Sequence, residues 1–166
     1  EMVEVPMAPG SSAAILMDYC YMEINAYRDD YVTTYLRYKR IKILKKEGYD
    51  EGNINLIYHS EDQYERIRNL KAQTLVPTET GYKTIELNKK TDFFKEELSN
   101  GFSRITFAFP GLTEGAIIEF QYELICQNIT VLQPWYFQNE LPTFWSELHF
   151  QIPQYFNYTT LTRNYR

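Results

Sequence analysis

The side chains in this sequence that could carry chemistry are few. They are two histidines, two cysteines and the carboxylate pairs Asp29 and Asp30, Glu61 and Asp62, and Glu96 and Glu97. Neither His59 nor His149 lies beside a nucleophile motif, and the sequence contains no H-E-x-x-H, G-x-S-x-G or P-loop pattern. Adjacent carboxylates on a strand point to opposite faces, so the pairs indicate solvated charge. We therefore predict no catalytic residue, no metal site and no cofactor.

The two cysteines, Cys20 and Cys126, both lie in segments that alternate as strands do. They lack C-x-x-C spacing and have no histidine neighbour, which argues against a zinc or redox site. Two interpretations remain open. A disulfide could join them if their strands are neighbours, or they are two small buried side chains, since free cysteine is among the most buried residue types. We favour buried free thiols.

One aromatic cluster has the composition of a binding surface. Trp135 and Tyr136 precede the loop Gln138–Thr143, and Phe144 and Trp145 follow it. If this connection turns like a hairpin, Trp135, Tyr136 and Trp145 form an exposed platform for sugar rings or for a partner domain. The alternative, which we favour for most of these side chains, is that they fill the core.

The composition of the whole chain favours β structure. Of its 166 residues 44% are hydrophobic and 16% aromatic, with 15 Tyr and 10 Phe, and these two residue types suit a pleated, half-buried surface. The net charge of -5 argues against a nucleic-acid partner. No apolar run approaches the length of about 18 residues that a membrane span needs.

Alternating apolar residues, interrupted by glycine and proline turns, predict a series of strands. They cover Ala13–Asn25, Tyr31–Leu44, Tyr64–Val76, Tyr82–Leu87, Phe102–Phe109, Ala116–Cys126, Val131–Gln138, Trp145–Ile152 and Tyr155–Arg163. Segment 49–62 reads as irregular, with a helical turn at Ser60–Tyr64. No long helical period occurs, so we predict an antiparallel two-sheet β-sandwich with little helix over residues 13–166, after a lead-in at 1–12.

The same alternation predicts which side chains share a face. Ile15, Met17, Tyr19 and Tyr21 fall on one face of the first strand, and Ile118, Phe120, Tyr122 and Leu124 on one face of another. In the second strand the apolar parity shifts near Arg40, which indicates a bulge or a twist there.

Six stretches occur in a characteristic order along almost the whole chain. They are Ala13–Asp18, Arg40–Leu44, Leu70–Thr74, Phe109–Phe120, Trp135–Gln138 and Pro142–Glu147, the last running into Ile152–Pro153. In this order they resemble the family called domain of unknown function 3857, found ahead of transglutaminase-like domains in bacterial envelope proteins. The resemblance implies a β-sandwich module of an exported protein, in the periplasm or outer cell envelope of a Gram-negative bacterium.

The resemblance also implies that the chain is a fragment of a longer protein, whose downstream domain is similar to papain-like enzymes with a Cys-His-Asp arrangement. None of that machinery maps onto Cys20 or Cys126, because such a cysteine opens a helix, whose positive end lowers the thiol pKa. We expect a non-catalytic accessory module that packs against or positions the downstream domain. The alternatives are glycan or peptide binding at Trp135, Tyr136 and Trp145, and peptide binding by strand addition at a sheet edge.

Overall fold

The computed structural model describes residues 8–159 and 161 and consists almost entirely of β-strands. The strands are β1 (Ala13–Tyr27), β2 (Asp30–Ile43), β3 (Asn53–His59), β4 (Glu65–Thr78), β5 (Gly81–Glu86), β6 (Phe94–Glu97), β7 (Phe102–Ala108), β8 (Ile117–Cys126) and β9 (Ser146–Gln151). Short 3-10 helices occupy Lys46–Gly52 and Glu61–Gln63. The predicted all-β architecture with two sheets and little helix is confirmed.

The strands form one large sheet and one small sheet. The large sheet has the order β5-β4-β8-β2-β1-β9, and the small sheet has the order β3-β7-β6. All neighbouring strands are antiparallel except β9, which runs parallel to β1. Because β2 and β1 lie between β8 and β9, the chain must cross both strands between the end of β8 and the start of β9. We call this connection, residues 127–145, the crossing loop.

The inner face of the large sheet carries two clusters of buried side chains. The first lies between the two sheets and includes Ala13, Ile15, Ile41, Ile43, Ala72, Leu87, Phe107, Phe109, Ile118 and Phe120. The second comprises Cys20, Met22, Ile24, Tyr35, Tyr58, Leu124 and Cys126, and is covered largely by the crossing loop and by side chains near the end of the described chain. The small sheet therefore covers only part of the large one, and the crossing loop covers much of the rest.

The predicted face of β8 is confirmed, because Ile118, Phe120, Tyr122 and Leu124 all contribute to these clusters. The predicted face of β1 is wrong. Its pairing with β2 slips between Ile15 and Met17, so Leu16 is an extra residue that reverses the alternation. Beyond this bulge the buried side chains are Asp18, Cys20, Met22 and Ile24. The bulge or twist predicted in the second strand near Arg40 is also wrong, because β2 keeps its alternation and pairs with β8 without a register shift. The bulge opposite Arg40 lies in β1.

Two strands were missed, one predicted strand is absent, and the described part of another is not a strand. β3 lies in the segment predicted to be irregular, and β6 was not predicted. Val131–Gln138 forms no strand: the side chain of Asn128 accepts hydrogen bonds from the N–H groups of Thr130 and Val131, and Pro134 has no N–H for a ladder. Residues 155–159 are not a strand either; of the predicted strand Tyr155–Arg163, residues 160, 162 and 163 lie outside the described residues.

We predict that the core between the sheets depends strongly on Phe107, which is 1% exposed. Its ring lies 5.0 Å from that of Phe93, 5.7 Å from Phe109 and 5.9 Å from Phe120. Phe107→Ala should lower the free energy of unfolding in urea by about 3–5 kcal/mol, through lost burial and a residual cavity.

The matched control is Phe94→Ala, in the neighbouring strand of the same sheet, where the ring is 66% exposed. That variant should change the free energy of unfolding by no more than about 0.5 kcal/mol. Equal effects of the two substitutions would contradict the assignment of the core.

Candidate functional site

The crossing loop is fixed to the large sheet through Gln133. Its backbone N–H donates to the Tyr35 hydroxyl at 3.0 Å, and burial raises the pKa of Tyr35 to about 12, so this phenol stays neutral. The Gln133 side chain accepts a hydrogen bond from Arg37 at 3.1 Å and donates one to Glu65 at 3.2 Å. One residue of the loop thereby joins side chains of two strands, β2 and β4.

Trp135 lies on the inner side of the large sheet and is half-buried. Its indole N–H donates to Ser146 Oγ at 3.1 Å. The guanidinium carbon of Arg37 lies 4.9 Å from the centre of its ring, a distance at which a cation is attracted to the aromatic face. These contacts hold the indole at the margin of the second core cluster rather than free in solvent.

An open cleft of about 360 Å³ lies between the crossing loop, β2 and β3. Trp135 and Tyr136 provide aromatic surface on the loop side. Among the residues that line the cleft, those with amide side chains are Asn53, Asn55 and Asn139, and the charged ones are Asp18, Arg37, Lys39 and Glu51. We refer to this site as the Trp135 cleft.

Of the four charged residues that line the Trp135 cleft, Lys39 and Asp18 form an ion pair, and Arg37 contacts neutral groups of the crossing loop. Lys39 Nζ lies 3.0 Å from Asp18 Oδ2, and Asn139 donates a weak hydrogen bond of 3.4 Å to the same oxygen. Arg37 is engaged by Gln133 and by the indole of Trp135. With two cationic and two anionic residues among those lining it, the cleft has no net formal charge.

The predicted platform of Trp135, Tyr136 and Trp145 does not form as one surface. Trp135 and Tyr136 both line the cleft, and Tyr136 is 65% exposed. Trp145 is 55% exposed, and its indole donates to Glu147 Oε2 at 2.6 Å. Glu147 and Ser146 are successive strand residues and so point to opposite sides of β9. The two tryptophans therefore form hydrogen bonds on opposite faces of β9. The segments before and after the loop Gln138–Thr143 do not form the predicted hairpin.

The sequence did not identify Asp18, Asn53, Asn55 and Asn139 as neighbours of Trp135. They come from β1, β3 and the crossing loop, which are far apart in the chain. No local spacing predicts such an arrangement. The one signal available was Pro134 beside Trp135, which is typical of a loop rather than of a strand.

The two histidines lie in separate surroundings. His59 packs between the rings of Phe102, at 4.9 Å, and Tyr64, at 5.1 Å. The ring of His149 lies 5.7 Å from that of Tyr19 on the outer face of the large sheet, and His149 contacts Glu147. The hydrogen bond from Trp145, and to a smaller extent that from His149, lowers the pKa of Glu147.

Within residues 8–159 and 161, no group of three or more His, Cys, Asp or Glu side chains is placed to hold a metal ion. No helix in the same residues is long and apolar enough to cross a membrane.

Both thiols are free and buried, so the disulfide interpretation is corrected. Cys20 lies on β1 opposite Arg37, whereas Cys126 lies on β8 opposite Thr33. Strand β2 separates them, which places them about 10 Å apart across the sheet alone. A disulfide needs Cα atoms no more than about 7 Å apart. Burial raises the pKa of Cys20 to about 11 and also raises that of Cys126.

A second cavity, of about 410 Å³, involves polar side chains on the outer face of the large sheet. Glu119 forms an ion pair with Arg40 there and accepts a hydrogen bond from Gln73 at 2.7 Å. Burial, together with the charge of Glu119, raises the pKa of Tyr38. These groups bind one another, so we take the Trp135 cleft as the candidate site.

This architecture, a large sheet partly covered by a small one and by a crossing loop, defines the class of open β-sandwich modules. The family model described as "Domain of Unknown Function with solved-structure structure (DUF3857)" matches residues 29–166, and the chain belongs to this family. The resemblance stated from the sequence is thereby confirmed at the level of the family. A search of curated proteins finds no match.

Among solved structures, the chain is similar to a crystal structure from Parabacteroides distasonis described as "a putative protease". The TM-score is 0.67 at 13% sequence identity, with 86% of this chain and 29% of that chain covered. At this identity the similarity shows a shared fold. The chain spans less than a third of the length of that protein.

We predict that neither thiol reacts with an aromatic disulfide reagent in the native protein at pH 8. With a pKa of about 11, only about one thousandth of Cys20 is thiolate at that pH, and the thiolate is the reactive form. The thiolate fraction rises with pH, so labelling should become faster as the pH approaches 11. Labelling is followed by absorbance, with Cys20→Ser and Cys126→Ser to identify each thiol.

After unfolding in guanidinium without a reductant, both thiols should label. Incorporation of no label under these conditions would show a disulfide and contradict the free-thiol assignment. Rapid labelling of the folded protein would contradict the burial of the thiols.

Proposed function

We propose that this chain is a non-catalytic accessory module that packs against a downstream transglutaminase-like domain of the same polypeptide and positions it. One observation carries the proposal: large exposed apolar side chains are concentrated near β9 and the crossing loop. Of fourteen such residues in the described part of the chain, eight lie beyond residue 130. They are Val131, Tyr136, Phe137, Phe144, Trp145, Phe150, Tyr155 and Leu161.

An exposed apolar surface of this kind is typical of a contact that another domain or molecule covers. Soluble monomers rarely leave large apolar patches in contact with water, and domains within one chain associate through interfaces that combine apolar and polar surface. Here Trp145, the residue before β9, and Phe150, within β9, are each 55% exposed. β9 ends the strand order of the large sheet, so the edge and the exposed rings occur together.

The comparisons support a role within a longer polypeptide. The same fold occurs in the Parabacteroides distasonis protein, where the matched region is 29% of the chain. In that protein the sandwich is therefore part of a longer polypeptide. The family resemblance suggests that the additional domain is transglutaminase-like and that the protein is exported to the periplasm or outer envelope. In this proposal any peptide-bond or acyl-transfer chemistry belongs to the downstream domain, and this module contributes contact surface.

The proposal is tested in the full-length protein with Trp145→Glu and Phe150→Glu. Each introduces a charge at an exposed ring, so the isolated module should remain folded. In the full-length protein each should weaken the contact by about 2–3 kcal/mol, the value of burying one large apolar side chain. Calorimetry should then show separate, lower-temperature unfolding of the downstream domain, and β9 amides should exchange faster.

Phe94→Glu is the matched control, because Phe94 is also an exposed ring but lies in the small sheet. It should leave the calorimetric profile of the full-length protein unchanged. If Ser146–Gln151 exchanges at the same rate in the isolated module and in the full-length protein, the docking surface is wrongly assigned. Fractionation of the native cells separately tests the proposed envelope location.

A further inference from the structure

We propose that the Trp135 cleft is a binding site for a neutral oligosaccharide. The cleft shares Tyr136 with the exposed apolar residues counted above, whereas the docking contact is tested at Trp145 and Phe150, which do not line it. It depends on a cavity lined by aromatic rings, by residues with amide side chains and by charged residues whose formal charges sum to zero, and each of these features restricts the ligand.

The aromatic rings favour a ligand with flat apolar faces. Tyr136 exposes 65% of its surface beside the half-buried indole of Trp135. The indole is already oriented by Ser146 and by Arg37, so little side-chain freedom is lost when a ligand packs against it. The C–H face of a pyranose ring is apolar and of a size that one aromatic ring can cover.

The amides favour a ligand rich in hydroxyl groups. Asn53, Asn55 and Asn139 approach the cleft from β3 and from the crossing loop. Each amide carries both a donor NH₂ group and an acceptor oxygen, and a hydroxyl group is likewise both donor and acceptor. On β3 the exposed Asn53 and Asn55 alternate with Ile54 and Leu56, which pack against the core. Asn55 Oδ1 accepts a hydrogen bond from Thr106 at 2.8 Å, and the Asn139 amide donates to Asp18 at 3.4 Å. At the rim of the open cleft, the Asn53 amide, the NH₂ group of Asn55 and the oxygen of Asn139 can therefore exchange hydrogen bonds with sugar hydroxyls.

The balance of two cationic and two anionic residues argues against a strongly charged ligand. Lys39 is neutralised by Asp18 at 3.0 Å, and Arg37 is held by Gln133 and Trp135. An anion would have to compete with Asp18 for Lys39, and a cation would meet Arg37. A neutral ligand leaves both interactions intact. The volume of about 360 Å³ lies in the range of small-ligand pockets, and the open mouth allows further sugar units to extend into solvent.

The chain offers a direct optical test, because it contains only two tryptophans. In Trp145→Phe the sole tryptophan is Trp135, which reports on the cleft. In Trp135→Phe the sole tryptophan is Trp145, on the other side of β9. Each variant is titrated with maltotriose, cellotriose and chitotriose, and with the peptide stem of bacterial peptidoglycan.

We expect at least one trisaccharide to change the fluorescence of the Trp145→Phe protein saturably and to leave that of the Trp135→Phe protein unchanged. Adding Tyr136→Ala to the Trp145→Phe protein should weaken binding by about tenfold or more, because Tyr136 is exposed and can be removed without disturbing the core. Tyr82→Ala is the control, since this tyrosine is 48% exposed but lies on β5, and it should not alter binding.

Three outcomes overturn the proposal. The first is no saturable change with any trisaccharide while circular dichroism shows the variant to be folded. The second is an equal response from Trp145, which indicates nonspecific contact with exposed rings. The third is binding of the peptide stem but of no sugar, which assigns the cleft to peptides. Failure here leaves the docking proposal unaffected, because that proposal is measured at β9 in the full-length protein.

Discussion

The parallel pairing of β9 with β1 is the constraint on which most of this structure depends. The chain leaves β8 in the interior of the large sheet and must reach the edge beyond β1, so residues 127–145 have to cross β2 and β1. The crossing takes place on the inner face, because Ile129, Leu132 and Trp135 contribute to the second core cluster. The crossing loop thus covers the part of the core that the three-stranded small sheet leaves open. The Trp135 cleft lies between this loop, β2 and β3.

The single extra residue at Leu16 changes which side chains of β1 face the core. By reversing the alternation of β1 it turns Asp18 inward and leaves Met17 and Tyr19 on the outer face. The inward carboxylate then meets Lys39, which occupies the same face of β2. With uninterrupted alternation, the rings of Tyr19 and Tyr21 would lie on the inner face of the large sheet. The carboxylate of Asp18 would then not line the cleft.

Local alternation predicted much of the fold because a half-buried strand has a period of two that is visible in the sequence. β8 shows this well, with Ile118, Phe120 and Leu124 all on the predicted face. The same rule failed at β1, where one extra residue changes the parity, and at Val131–Gln138, where Asn128 and Pro134 impose loop geometry. Trp135 and Tyr136 could be selected from the sequence as binding residues. The neighbouring residues Asn53, Asn55 and Asn139 could not be selected, because β3 and the crossing loop are far apart in the chain and approach each other only in the folded sandwich.

The topology also fixes an order of events during folding. Of the strands described here, β1 is synthesised before the others and β9 after them, yet these two are paired neighbours. Until Gln151 has been synthesised, the edge of β1 from Asp18 to Glu23 has no partner. Unpaired edges are templates for association with other chains, and contacts between distant segments form slowly. The nascent module is therefore most vulnerable to aggregation just before β9 is added to the sheet.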